Sequence, residues 1–303
     1  MNAKPIYVEI NIDSEMDKLW EATQTPSLHE QWDLRFSSIT YLPSEENEPQ
    51  KFSYQTKIMP GWSIEGWGAT VGSHSGKDGS RTSSLHFETD DSISIIKEGK
   101  GYWQYKQKND SITFLTQYTY NVNFGRIGHI LDCLLFRPLI GWATALSFDV
   151  LKRWLEKGET PATQYIRFFT NWMISFLFFI VWTYHGFIPK LLFKHPEELS
   201  MIKNGLPFIT DQAEWSVIFI GIAEVLFGFI WLFYQNKRQL FGLQIIIFPL
   251  LTFGAILAEP DYLIHPFNPL TFNLSLFTLS IIGILLSKDI PTATSCKRQR
   301  VRN

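Results

Sequence analysis

The segment WSVIFIGIAEVLFGFIWLFY, residues 215–234, is long and apolar enough to cross a bilayer, and residues 168–185, 240–258 and 267–286 make three more runs like it. A spanning helix needs about 20 predominantly apolar residues. Inside lipid every backbone polar group must be satisfied within its own segment, so four such runs separated by short polar breaks predict a helical membrane bundle. Trp182, Tyr184, Trp215, Tyr234 and Tyr262 punctuate the ends of the runs, as expected at headgroup depth. The averages conceal this. With 18% charged residues and a mean hydropathy near zero, the 303-residue chain resembles an ordinary two-domain soluble protein. Of its 29 acids, only eight follow Pro161. A polar half and an apolar half meet near EKGETPATQ, which divides the chain into domains 1–160 and 161–303.

Orientation follows from lysine and arginine. Lys152, Arg153, Lys157 and Arg167 precede the first run, Lys237 and Arg238 separate the second from the third, and Lys288, Lys297, Arg298, Arg300 and Arg302 come after the fourth. The break EPDYLIHP has none, while the longer first break sets Lys190, Lys194 and Lys203 against Glu197, Glu198 and Asp211. The positive-inside rule therefore puts both termini in the cytoplasm, in agreement with an N-terminal MNAKPIYVEI that carries no signal-peptide pattern. The tail KRQRVR reads as a topology and lipid-headgroup signal rather than a nucleic-acid patch. Cys133 and Cys296, one in each half and without a CxxC partner, suit a reducing compartment.

In the polar half, Ile6, Val8, Ile10 and Ile12 alternate with Tyr7, Glu9 and Asn11, which predicts a half-buried strand. A helix over residues 14–24, capped by Asp13 or Ser14, comes next. Strand patterns at residues 51–58, 64–73, 81–89, 93–105 and 112–121 are broken by PG, SGKDGS and KND, as in an antiparallel meander. Residues 125–157 then switch to a helical period, with Ile127, Ile130, Leu131, Leu134 and Leu135 on one side. The stretch 131–148 is apolar, but Arg137 and Pro138 interrupt it and Asp132 and Asp149 bracket it, so it is assigned to the soluble core rather than to a fifth span. The predicted fold class is α+β helix-grip, an antiparallel sheet around a long C-terminal helix, followed by an all-α four-helix membrane bundle.

Two resemblances accompany these patterns. WTYHGFIPKLLF, GIAEVLFG and HPFNPLTFNLSL, in that order, resemble the DoxX-like family of small four-helix bacterial membrane proteins over about residues 165–287. LHEQWDLRFSSI and LLFRPLIGWATALSFDVLKRWLE resemble the SRPBCC superfamily, START-like or Bet v 1-like and related to polyketide cyclases, over about residues 4–158. The first resemblance implies a multi-pass protein of the bacterial cytoplasmic membrane and, through some members, quinone as a cofactor, although redox cysteines are missing. The second implies a cavity for a hydrophobic ligand of lipid, quinone or polyketide type.

Neither half contains HExxH, GxSxG, GxGxxG or a phosphate loop, and the seven histidines are scattered, so no metal site and no catalytic constellation is visible. His74 and His86 either project into the cavity beside Glu65 or are surface residues, and Trp62, Trp67 and Trp103 either wall a ligand or pack the core. In the bundle the polar candidates are Glu224, Asn273, His185 and Glu259. A charge at the bilayer centre costs roughly 2.5 kcal/mol or more, so Glu224 needs a partner, a proton or a task. Gly221 and Gly228 share its face and turn it toward another helix, where Asn273 is the expected partner of a neutral carboxyl. Glu224 is then either interhelical glue or a protonic group.

Three function classes remain: a membrane-anchored binding or sensing protein for a hydrophobic small molecule, a redox-associated or transport subunit regulated by the soluble domain, and a cyclase- or hydratase-like enzyme. The first is favoured. The expected partners are the bilayer and a hydrophobic ligand, with a homo-oligomer or a membrane redox protein left open and nucleic acid excluded.

Overall fold

In the computed structural model, which describes residues 4–43, 48–59, 61–108 and 111–300, the alternating N-terminal segment forms β1 (Ile6–Ile12) with Ile6, Val8, Ile10 and Ile12 buried. Two short helices come next, α1 (Met16–Gln24) and α2 (Pro26–Trp32), and then β2 (Ser38–Tyr41), β3 (Lys51–Met59), β4 (Trp62–Ser75), β5 (Arg81–Glu88), β6 (Ile96–Lys108) and β7 (Ser111–Val122). Neither Asp13 nor Ser14 caps α1: its N-cap is Glu15, with no side-chain cap bond. The turn SGKDGS folds as read, with Gly76 N–H on Ser80 O at 2.7 Å and Gly79 at φ +77°, a conformation that glycine adopts without steric cost. Pro60, Asn109 and Asp110 of the other two turn signals, and Arg302 of the tail, lie outside the described residues.

All pairings are antiparallel in the order β1-β7-β6-β5-β4-β3-β2. Over this sheet lies α4 (Arg137–Lys157), reached from α3 (Gly125–Leu131) through a π-helical segment, Asp132–Phe136. Phe148 of α4 stacks on Phe114 of β7 at 4.4 Å, and Thr144 shares a 3.0 Å hydrogen bond with Tyr118. One strand, two helices, six strands and a long closing helix make this the helix-grip fold. Its core lies between α2, α4 and the sheet, where Trp32, Trp103, Tyr105, Phe114 and Phe148 are buried together. Gly158, at φ +70°, ends α4 in a left-handed cap.

The buried face of α4 is Gly141 and Thr144 to Leu151. Ile127, Ile130, Leu131, Leu134 and Leu135, the apolar side of the helical period over residues 125–157, are exposed. At this end it is Gly128 and Asp132 that turn inward, and Asp132 is paired with Arg137 at 2.8 Å and with the Tyr120 hydroxyl at 2.5 Å. Periodicity identified an apolar stripe there but could not say that the helix turns its other side to the sheet.

The chain divides into two compact units, Met1–Tyr165 with Pro291–Asn303, and Ile166–Ile290. The tail, grouped by the sequence reading with the bundle and read as a headgroup signal, is thus part of the sheet unit. Lys297 and Glu9 of β1 exchange two backbone hydrogen bonds at 2.9 Å, and their side chains pair at 2.9 Å. Thr292 N–H reaches Asp149 at 2.9 Å, and Cys296 Sγ donates to Ala145 O at 3.3 Å. Burial pushes the Cys296 thiol up to about 12.

Among the described residues, five helical stretches are long and apolar enough to cross a membrane. One, Gly125–Lys157, carries the core face of the sheet unit. The other four coincide with the four runs: α5 (Pro161–His185), α7 (Ala213–Phe233), α8 (Lys237–Ala258) and α9 (Pro269–Leu286), with α6 (Pro196–Gly205) between the first two. Phe178, Trp182, Trp231, Phe241 and Phe248 form an aromatic core between these helices. Phe219, Leu226, Leu250, Phe253, Leu274 and Leu285 point outward, as they do where the solvent is hydrocarbon.

Candidate functional site

The unusual element of the bundle unit comes directly after α5. The helix does not stop at His185 but widens into a π-helical segment, Gly186–Leu192, with Pro189 inside it. Gly186 lies so close to α7 that a Cβ there would sit 2.5 Å from Gly221 O and 2.9 Å from Glu224 Cβ. Lower on the same seam, a Cβ on Gly228 would meet Thr183 Oγ1 at 2.5 Å and Phe179 O at 3.1 Å. The face of α7 marked by Gly221 and Gly228 is therefore the one that packs against α5 and its extension, and small residues let the backbones approach to this distance.

That approach supplies the partner of Glu224. Lys190 of the π segment places Nζ 3.0 Å from Glu224 Oε2 and 3.1 Å from Glu198 Oε1 of α6, and it reaches His185 O at 3.4 Å. The expected partner, Asn273, is corrected: among the described residues no hydrogen bond joins it to Glu224, and the nearest partner is the Lys190 ammonium group. The physical reason is that the π-helical segment Gly186–Leu192 continues α5 and packs against α7, which brings Lys190 to the acid.

These groups line a cavity of about 890 Å³. His185, Lys190, Glu198 and Glu224 form one side of it, and Asn273 of α9 lines it as well. Trp182, Phe248 and Phe272 are among the apolar walls. The His185 ring lies 5.3 Å from that of Phe272. Glu259, the C-cap of α8, is half-buried and outside this lining. Three of the four polar candidates in the bundle are thus brought together, and Lys190 and Glu198 were missed. Their signal was a lysine amid Phe187, Ile188, Leu191 and Leu192 next to a helix-breaking Gly186 and Pro189, a composition that fits neither a soluble loop nor a free span.

The candidates in the sheet unit are placed differently. Ser83 of β5 is buried and bonds Gln24 of α1, so its face is the inner one, and Trp103, its partner in β6, sits on that face 4.9 Å from the His29 ring. His86 is on the opposite face, as are His74 (opposite Thr82), Trp67 (opposite Glu88) and Glu65, whose carboxylate accepts from Gln55 Nε2 at 3.2 Å. The reading in which His74 and His86 project inward beside Glu65 is corrected by strand parity, set in β4 by a bulge between Thr70 and Gly72 that the sequence did not reveal. Trp62 lies at the end of β4, 57% exposed, and Trp103 is packed in the core.

Inside the grip is a polar cluster absent from the sequence reading. Asp33, with no exposed side-chain surface, accepts Arg35 Nε at 2.8 Å, Arg35 NH2 at 2.6 Å and His29 Nε2 at 3.0 Å. Burial alone would raise the Asp33 carboxyl, but the Arg35 guanidinium and the hydrogen bonds outweigh it and hold the group well below the usual carboxylate range. The Arg35 guanidinium also lies over the rings of Phe36 and Tyr118, at 5.4 and 5.6 Å.

Comparison with known proteins covers both units. The DoxX-like family profile matches residues 179–281. YndG, an uncharacterized membrane protein of Bacillus subtilis (strain 168), is 50% identical over 189 residues, which span 62% of this chain and 70% of that protein. Among solved structures, a STAR-related lipid transfer protein fragment from Xanthomonas axonopodis matches with 13% identity and a TM-score of 0.39, over 50% of this chain and 85% of its own. A START superfamily protein from Mycobacterium smegmatis matches with 11% identity and a TM-score of 0.37, over 52% of this chain and 100% of its own.

Proposed function

Starting from the fact that the chain belongs to the family of the Bacillus subtilis membrane protein YndG, we propose that it is a membrane-anchored binding protein which takes a hydrophobic small molecule into its helical bundle and uses the sheet unit to sense occupancy. The observation that carries this reading is the cavity of about 890 Å³, apolar over most of its wall and charged at one place. Ligand sites have this composition, a largely apolar enclosure with a few polar groups that fix orientation. Ionisable side chains at membrane depth mark functional sites by default, because lipid gives them no solvation. The lysine and arginine asymmetry supports insertion in a bacterial cytoplasmic membrane with both termini inside. The charges in the bundle also favour a second reading, a transport subunit in which the cavity is one station on a path across the membrane.

The test is to purify the full chain from membranes, extract it and identify bound molecules by mass spectrometry. A compound enriched over bulk lipid is expected from the natural chain. It should be lost when Ala255→Trp fills the cavity and retained in His86→Ala, whose side chain is on the outer face of the sheet. If the filled variant keeps the same compound, or the natural chain yields only bulk lipid, the binding reading fails.

A further inference from the structure

We infer that the occupant of the bundle cavity is a lipophilic organic cation. This rests on the binding reading above and adds to it the sign of the ligand's charge. Lys190 donates to His185 O and Glu198 Oε1, and with Glu224 Oε2, 3.0 Å away, it forms an ion pair. Glu224 Oε2 is itself buried without a hydrogen bond among the described residues, an acceptor open to an incoming donor or cation. The two carboxylates retain lone pairs, because a carboxylate accepts about four hydrogen bonds and they share a single ammonium.

The charge count points the same way. The titratable groups lining the cavity are His185 from α5, Lys190 from the π segment, Glu198 from α6 and Glu224 from α7, while α8 and α9 line it with uncharged residues. Two carboxyl groups thus face one ammonium group. An uncompensated charge in a low-dielectric enclosure is relieved either by a proton or by a counter-ion, and a cation with an apolar body can be that counter-ion where inorganic ions lose their hydration. Trp182, Phe248, Phe267 and Phe272 line the same space, and aromatic faces attract cations. A second observation indicates that the occupant also carries a hydrogen-bond acceptor beside its charge: the indole N–H of Trp182, 7% exposed and on the cavity wall, has no partner among the described residues. An anionic amphipath would meet repulsion from the two carboxyl groups.

The experiment uses the full chain in zwitterionic nanodiscs and three probes of similar bulk: tetraphenylphosphonium, tetraphenylborate and neutral triphenylphosphine oxide. Tetraphenylphosphonium is expected to bind roughly tenfold or more tightly than the other two. Because protons compete for the same carboxyl groups, its affinity should fall on acidification. Glu224→Gln and, independently, Glu198→Gln should each lower that affinity roughly tenfold and flatten the pH dependence. Two variants are used so that a folding defect in one does not decide the matter, and thermal melting of each reports the fold. Preference for the borate or the neutral probe, or cation affinity unmoved by both variants, overturns the charge assignment while leaving the binding reading intact. Failure of all three probes to bind a chain with natural melting behaviour overturns both.

Discussion

The sheet unit and the bundle unit each bury an acid against a base, and they do so in different ways. Asp33 and Arg35 form a one-to-one pair with two short contacts, backed by His29, inside a core filled by Trp32, Trp103 and Phe148. Glu224 and Glu198 share one Lys190 at the wall of a cavity. A balanced, fully bonded pair in packed surroundings fixes a shape. An unbalanced cluster beside empty volume leaves free energy to be gained from a ligand, and that contrast assigns architecture to one cluster and binding to the other.

The contrast is broken most forcefully through Asp33. Asp33→Asn leaves the Arg35 guanidinium without its counter-charge and should destabilise the sheet unit by about 3–5 kcal/mol, read by thermal or denaturant melting. A loss under about 1 kcal/mol would show that the pair is not architectural. Acid gives the same pair a second reading. The folded-state pKa of Asp33 lies below its unfolded value of about 3.9, so the unfolded chain takes up the proton first and the pair's contribution, complete above that pH, is lost as pH falls through the folded value. The acid limb of a stability-against-pH curve should therefore be steeper in the natural chain than in Asp33→Asn. Smaller again is the effect of Gly186→Ala, whose Cβ would meet backbone at Gly221 O. Overpacking there should cost about 1–3 kcal/mol and move Lys190 off Glu224. In the bundle this should change probe binding more than melting temperature, and the reverse result would place the cluster with the architectural kind.

Legibility in the sequence depended on which signals are local. The four runs became α5, α7, α8 and α9 because length and apolarity are sufficient conditions for a spanning helix. β1 and the meander were legible through alternation and turn chemistry. The face of α7 was legible too, since Gly221 and Gly228 are spaced around Glu224. The partner was not, because a proline-containing segment after His185 that continues as a π helix looks, residue by residue, like the start of a loop. Strand parity in β4 depended on a bulge, and the Asp33–Arg35 pair on a turn after α2 that no periodicity announces.

The return of the tail to β1 has a consequence for the order in which this molecule can be made. Chains leave the ribosome from the N-terminus, and domains generally fold as they emerge. Here the residues that complete the first-made unit, Thr292 on Asp149, Cys296 on Ala145 and Lys297 on Glu9, are synthesised after α9. Throughout insertion the sheet unit waits with an open groove along α4 and the edge of β1. Docking of residues 292–297 thus records that α9 has been made, and a chain arrested before it would keep its first unit unfinished.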